Sequence, residues 1–179
     1  MQIHPAQTMK EVLEAFPGAQ RALFRKYHLG GCASCAFPAE ETLASLCQRN
    51  GLEAAAVIRA LEESQQQDDA MQISPAQLAA LRQERPVKLV DVRSREEFEA
   101  TRIEGAVLLS QPVMQEILAH WPREELFVIY DHRGQHSLDA AAYFIGQGFS
   151  QVRCLRGGID AWAKEADATI PRYRLEVTT

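Results

Sequence analysis

No run of apolar residues in this sequence is long enough to cross a bilayer. Stretches such as Leu126-Phe127-Val128-Ile129-Tyr130 fall far short of the roughly 20 residues that a spanning helix needs. The opening Met1-Gln2-Ile3-His4-Pro5 lacks the basic and apolar regions of a signal peptide, so the expected setting is cytoplasmic, with no membrane partner. Positive charge is not in excess either. Against 24 Asp and Glu there are 19 Lys and Arg, a formal net charge of -5, and nothing is left over to neutralise a phosphate backbone. Nucleic acid is therefore not an expected partner. Cysteine is scarce, with 4 in 179 residues, too few for a stapled secreted scaffold. What is present is a close pair, Cys32-Ala33-Ser34-Cys35, and in a reducing compartment such a pair points to redox, sulfur or metal chemistry. With 46% hydrophobic and 24% charged residues, the chain reads as folded, in one or two domains.

The polar stretch from Ser64 to Ala70, with three successive glutamines and two aspartates, separates a cysteine-bearing part from a part of different pattern. The expected domains are residues 1–66 and 71–172. The first reads as helical. Thr8-Met9-Lys10-Glu11 has capping-box spacing, Pro17-Gly18 stops that helix, and a second runs from Ala19 through Tyr27 to a left-handed close at Gly30-Gly31. A cysteine-bearing turn follows. Glu41 to Arg49 forms the next helix with Leu43, Leu46 and Cys47 inward; Asn50-Gly51 ends it, and Ala54, Val57, Ile58 and Leu61 mark the stripe of a last helix. The heptapeptide Met1–Gln7 nearly recurs as Met71–Gln77, which reads as a repeated helix-start signal.

The second part alternates strand and helix. Val87–Val92, Ala106–Leu109, Leu126–Tyr130 and a segment through Val152 and Cys154 read as strands. Ser94-Arg95-Glu96-Glu97 is a second capping box, Ser137–Gln147 an Ala-rich helix capped at Gly148, and Gly157-Gly158 a turn into a closing helix. Right-handed crossovers then give an α/β fold: a small helical bundle followed by a parallel sheet with helices on both faces. In such sheets sites lie at the carboxyl ends of the strands, which directs attention to the loop after Tyr130.

The residues Leu89-Val90-Asp91-Val92-Arg93, Glu97-Phe98, Arg102-Ile103-Glu104-Gly105-Ala106, the strand-loop-helix at 127–144, and Leu155-Arg156-Gly157-Gly158-Ile159-Asp160-Ala161-Trp162 together resemble a rhodanese-like domain. The first part, through Gly31-Cys32-Ala33-Ser34-Cys35, Glu41-Thr42-Leu43 and Asn50-Gly51-Leu52, resembles the small CxxC domain described as a hybrid-cluster-associated redox-disulfide domain. The rhodanese resemblance implies a cysteine at a strand end that takes up a sulfane sulfur as a persulfide and hands it to a nucleophile. The loop matching that position is Asp131-His132-Arg133-Gly134-Gln135-His136-Ser137, and Asp131 stands where the family has its cysteine. A carboxylate can satisfy a ring of backbone N–H donors but cannot carry sulfur by thiol exchange, so ordinary thiosulfate sulfurtransferase activity is not expected at Asp131. The loop reads as an anion nest filled by its own side chain. Arg102 also departs from the pattern, which usually has histidine there.

Cys32 and Cys35 are thus the expected reactive residues, cycling between dithiol and disulfide or carrying a persulfide, while loop 131–137 binds. The chain then reads as a thiol-redox or sulfur-relay protein with a catalytically impaired rhodanese-like module. Its partners would be a thiol- or persulfide-bearing protein or a small anionic sulfur species, with a homo-oligomer open and no cofactor called for. Two alternatives stand beside this. One is a sulfurtransferase that uses Cys35 or Cys154 as persulfide carrier. The other is a metal or iron–sulfur module through the CxxC, for which His28, Cys32, Cys35 and Cys47 would supply ligands. Within the loop, Asp131, His132 and His136 suggest a two-histidine, one-carboxylate metal site, and Asp131 a phosphoryl acceptor, but His132, Arg133 and His136 fit a solvated cationic rim better. Cys47 and Cys154 read more plainly as core residues, and Asp91 with Arg93 as a structural pair.

Overall fold

The computed structural model describes residues 3–30 and 37–173. Cys32 and Cys35 lie outside the described residues. The chain divides into two compact units, Met1–Ala70 and Met71–Thr179.

The first unit is helical. Helix α1 (Met9–Ala15) starts at the Thr8–Glu11 capping box, and α2 (Ala19–Tyr27) follows after the Pro17-Gly18 break. Its left-handed cap is His28, at φ 58°, and not the expected Gly30-Gly31 turn. Helix α3 (Leu43–Arg49) is capped by Thr42. It begins later than the expected Glu41, because Glu41 and Thr42 lie against α1: Met9 N–H donates to Glu41 O, and Thr8 bridges Thr42. Met9, Val12, Leu23, Leu43, Leu46, Cys47, Val57 and Leu61 close the core of this unit. Helix α4 (Ala54–Met71) runs through the polar stretch 64–70 that reads as a linker in sequence. Gln and Ala are good helix formers, and no Pro or Gly interrupts them. Arg21 holds the buried Asp68 from α2 at 2.5 Å.

The second unit is a parallel sheet of order β1-β5-β4-β2-β3. Its elements in chain order are β1 (Gln72–Ile73), α5 (Pro75–Glu84), β2 (Lys88–Asp91), α6 (Arg95–Ala100), β3 (Ala106–Leu108), α7 (Gln111–His120), β4 (Phe127–Tyr130), α8 (His136–Gly146), β5 (Val152–Leu155) and α9 (Gly158–Glu165). Strand alternation sends Leu89, Val128, Tyr130 and Leu155 to one face, where Leu78 of α5 and Ile159 and Trp162 of α9 cover them. Val90, Phe127, Ile129, Val152 and Cys154 go to the other face, under Ile117 of α7 and Leu138, Ala141 and Phe144 of α8. Both faces are covered, so the central strand β4 is apolar along its whole length. Phe127 sits at the middle of an edge-to-face aromatic cluster, with ring centroids 5.3 Å from Trp121, 5.3 Å from Phe144 and 5.5 Å from Phe149.

Among the described residues no helix is long and apolar enough to cross a membrane.

Candidate functional site

All the strands run the same way, so their carboxyl ends gather on one edge of the second unit. The polypeptide leaving β2 is fixed first. Asp91 and Arg93 are buried, and Arg93 donates through Nη2 to Asp91 Oδ2 at 2.5 Å and to the Thr101 carbonyl at 2.7 Å. Burial alone would lower the guanidinium pKa, but Asp91 and the Tyr173 hydroxyl outweigh it and push it upward. Tyr130, at the end of β4, is pushed above its usual range by burial and by the neighbouring Asp91, so its hydroxyl stays protonated. It accepts from the Ile103 N–H at 3.3 Å. These groups are scaffold, as the pairing of Asp91 with Arg93 suggested.

The loop after β4 curls around its own first residue. Asp131 is 3% exposed. Its Oδ1 accepts from the Gly134 N–H, and its Oδ2 from the N–H groups of His136 and Ser137, the last at 3.1 Å. His136 and Ser137 open α8, so the carboxylate sits on the positive end of that helix. Gly134 makes the turn with φ 82°, a left-handed conformation that glycine takes freely. A side chain there would also run into backbone, since a Cβ would lie 2.8 Å from Gly157 N and 3.1 Å from Leu155 O.

The loop is clasped from the other side by the turn before α9. Ile159 N–H donates to Asp131 O at 2.9 Å and Asp160 N–H to His132 O at 3.1 Å. A Cβ on Gly158 would strike the Asp131 carbonyl, a close approach of two backbones, while one on Gly157 would strike the Ala161 side chain. Two helix starts therefore hold one loop: α8 binds its carboxylate, and α9 binds its carbonyls.

The side chains of the loop form the expected solvated rim only in part. Arg133, Gln135 and His136 are exposed, but His132 is buried at 7% exposure beneath the ring of Tyr173, with centroids 4.5 Å apart. Neither His132 ring nitrogen has a hydrogen-bond partner among the described residues. Its burial has no local sequence signal, because the ring that covers it comes from far along the chain. Asp131, His132 and His136 do not assemble as a metal-holding group; among the described residues no cluster of three or more His, Cys, Asp or Glu does. Ser137 is buried, and its carbonyl accepts from the Cys154 thiol at 3.2 Å, placing Cys154 behind the loop at 1% exposure. Arg102 is exposed and lies 5.1 Å over the Phe98 ring. In the first unit Cys47 is buried, and burial followed by the nearby Glu53 charge raises its pKa.

A cavity of about 500 Å³ opens beside the loop, lined by Arg133, Asp160, Arg172 and Tyr173. Sequence reasoning missed Arg172 and Tyr173 altogether.

A parallel α/β sheet whose carboxyl edge carries an anion-cradling loop on a helix start belongs to the class of domains that bind at strand ends. The chain belongs to the rhodanese-like domain family, whose description matches residues 74–165. It is 36% identical over 99 residues to the thiosulfate sulfurtransferase GlpE of Pseudomonas savastanoi pv. phaseolicola, covering 55% of this chain and 92% of the relative. The Pseudomonas aeruginosa protein of the same name is 34% identical over 95 residues, covering 53% and 86%. Among solved structures, the human single-domain sulfurtransferase TSTD1 matches at 26% identity and a TM-score of 0.46, covering 53% of this chain and 96% of that one.

Proposed function

We propose that this chain is a sulfur-relay protein whose rhodanese-like unit binds and positions without itself carrying sulfur, the thiol chemistry resting on Cys32 and Cys35. The observation that supports this is the Asp131 carboxylate, which accepts from three backbone N–H groups of its own loop. In a rhodanese reaction a thiolate attacks the outer sulfur of thiosulfate, an S–S bond forms and sulfite leaves. The same cradle then steadies the persulfide anion. A carboxylate can take that place among the N–H donors but has no sulfur with which to form the bond. The CxxC pair has what the loop lacks. A persulfide on one cysteine is attacked by the other thiol, so a disulfide forms and hydrogen sulfide leaves, and a dithiol partner restores the pair by exchange. The expected partners are a thiol- or persulfide-bearing protein or a small anionic sulfur species in a reducing compartment.

A thiosulfate-to-cyanide assay tests the loop. The native chain is expected to show no transfer that depends on Asp131, and Asp131→Cys to create it. Labelled sulfane sulfur trapped by a chain with both Cys32→Ala and Cys35→Ala would overturn the reading. Peptide mass spectrometry after mild oxidation is expected to find Cys32 joined to Cys35.

The second reading is a sulfurtransferase acting through Cys35 or Cys154, favoured by the thiosulfate sulfurtransferase name of the relatives. Cys154 is poorly suited, since its thiol is 1% exposed and donates to the Ser137 carbonyl. Single-cysteine variants in the same assay separate the two readings.

A further inference from the structure

After α9 the chain turns at Asp167, whose carboxylate accepts from Thr169 N–H at 3.1 Å and Thr169 Oγ1–H at 2.5 Å. Ile170 then anchors in the core, and Pro171-Arg172-Tyr173 passes back over the carboxyl edge of the sheet. Arg172 makes two hydrogen bonds to the Asp160 carboxylate, at 2.8 and 2.9 Å. The Tyr173 hydroxyl accepts from Arg93 Nη1 at 2.6 Å and donates to Glu97 Oε1 at 2.6 Å, while its ring lies on His132. One short segment is thus tied to the loop after β2, to α6, to the loop after β4 and to α9.

We propose that residues 170–173 form a strap that closes the loop 131–137 site, with Tyr173 as the latch over His132. Two observations make the strap a gate and not a fixed wall. The closed position leaves both His132 ring nitrogens without a partner among the described residues at 7% exposure, a desolvation cost that water would relieve once Tyr173 lifts. Beyond Ile170 the strap is held by polar ties: the Tyr173 hydroxyl by Arg93 and Glu97 in a part-buried setting, and Arg172 by Asp160 with side chains 55% and 28% exposed, so salt weakens that outer pairing. The ligand gated in this way would be a small anion. The cavity that the strap half encloses offers it Arg133, which is exposed and has no ion pair among the described residues. The strap would govern access whether or not the sulfur reading holds, and its test needs no substrate.

Carbethoxylation of histidines by diethyl pyrocarbonate, read peptide by peptide on the intact chain, measures the gate directly. His120 and His136, both exposed, serve as internal references. In the native chain His132 is expected to react about tenfold or more slowly than His120, as a site reached only through local opening. Tyr173→Ala is expected to bring it to within about threefold, and Tyr173→Phe, which keeps the ring but loses both hydroxyl ties, to an intermediate rate. Arg172→Ala and raised salt are each expected to speed His132 alone. Native His132 reacting as fast as His120 would show that no closed strap exists. Continued protection in both Tyr173→Ala and Arg172→Ala, with the references unchanged and the fold intact by circular dichroism, would show that something else covers the ring. Either result overturns the strap without touching the sulfur reading, which is decided by the cyanide assay.

Discussion

Asp131 concentrates three backbone donors on one side chain, and its replacement should register as lost stability even before any activity is measured. Asp131→Ala leaves those N–H groups without their acceptor in a partly buried loop, at an expected cost of about 2 kcal/mol. Asp131→Asn should fall between the two. Its amide oxygen can serve Gly134, but its NH2 then faces the donors of His136 and Ser137. Urea unfolding followed by tryptophan fluorescence checks this, since Trp121 and Trp162 both pack in the cores around the sheet. Equal stability of all three proteins would mean that water replaces the carboxylate without loss. The position of Asp131 at a strand end was legible from the strand-loop-helix pattern, and the nest around it only through the rhodanese resemblance. His132 was not: its burial depends on Tyr173, and no residue near either one announces the pairing. Nor did His28 announce itself as the left-handed cap, with two glycines close behind it offering the easier choice.

At the scale of elements, capping explains most of what could be read. Thr8, Ser74 and Ser94 each accept from the N–H three residues on, and the Glu or Gln at that position reaches back. The recurring heptapeptide carries half of this device in both copies, where His4 N–H and Ser74 N–H donate to Gln7 and Gln77 Oε1. Only the second copy opens a helix there; in the first, Gln7 closes a turn and Thr8 caps α1 instead. Strand β1, of two residues, is too short to show alternation, and α7 was missed behind its Pro112. The strap has no periodicity at all, being made by polar ties. Those ties predict a pH window. Burial would raise the Glu97 pKa, but hydrogen bonds from Tyr173 and Ser94 and the Arg93 charge hold it below the ordinary carboxylate range. Asp160 is held low by its hydrogen bonds from Arg172, against burial, with the Arg172, His132 and Arg133 charges adding to the effect. Tyr173 is pushed up to about 12, by burial and then by Glu97. Depressed carboxylates favour the closed strap above their unfolded values near about 4 and lose that contribution as pH falls through the folded ones. The raised phenol favours closure below about 10 and loses it as pH rises through its folded value. The cross-relaxation between the Tyr173 and His132 rings in NMR should therefore hold across the neutral range and fade at both extremes. A contact unchanged at strongly acidic pH would contradict the role of Glu97 and Asp160.

For the whole molecule, each compact unit has its own core, one of helices alone and one on the two faces of the sheet. Both tryptophans belong to the second unit. Leu23→Ala, at a fully buried position in the first core, should cost that unit about 2–5 kcal/mol. Thermal melting followed by far-ultraviolet circular dichroism should then begin earlier, while the tryptophan transition stays where it was. A common shift of both signals would mean that the units melt as one. The parallel α/β architecture was legible because both faces of the sheet are buried, giving short apolar strands between capped helices. The unbroken α4 was not, because a polar run that mixes glutamines with serine and aspartates looks the same in sequence as a linker.

The turn before α9 presses its bare backbone against Gly134 and the Asp131 carbonyl, so the curvature of loop 131–137 is not a property of its own seven residues. Transplanted onto another scaffold, residues 131–137 would lose their shape unless the distant glycine turn travelled with them.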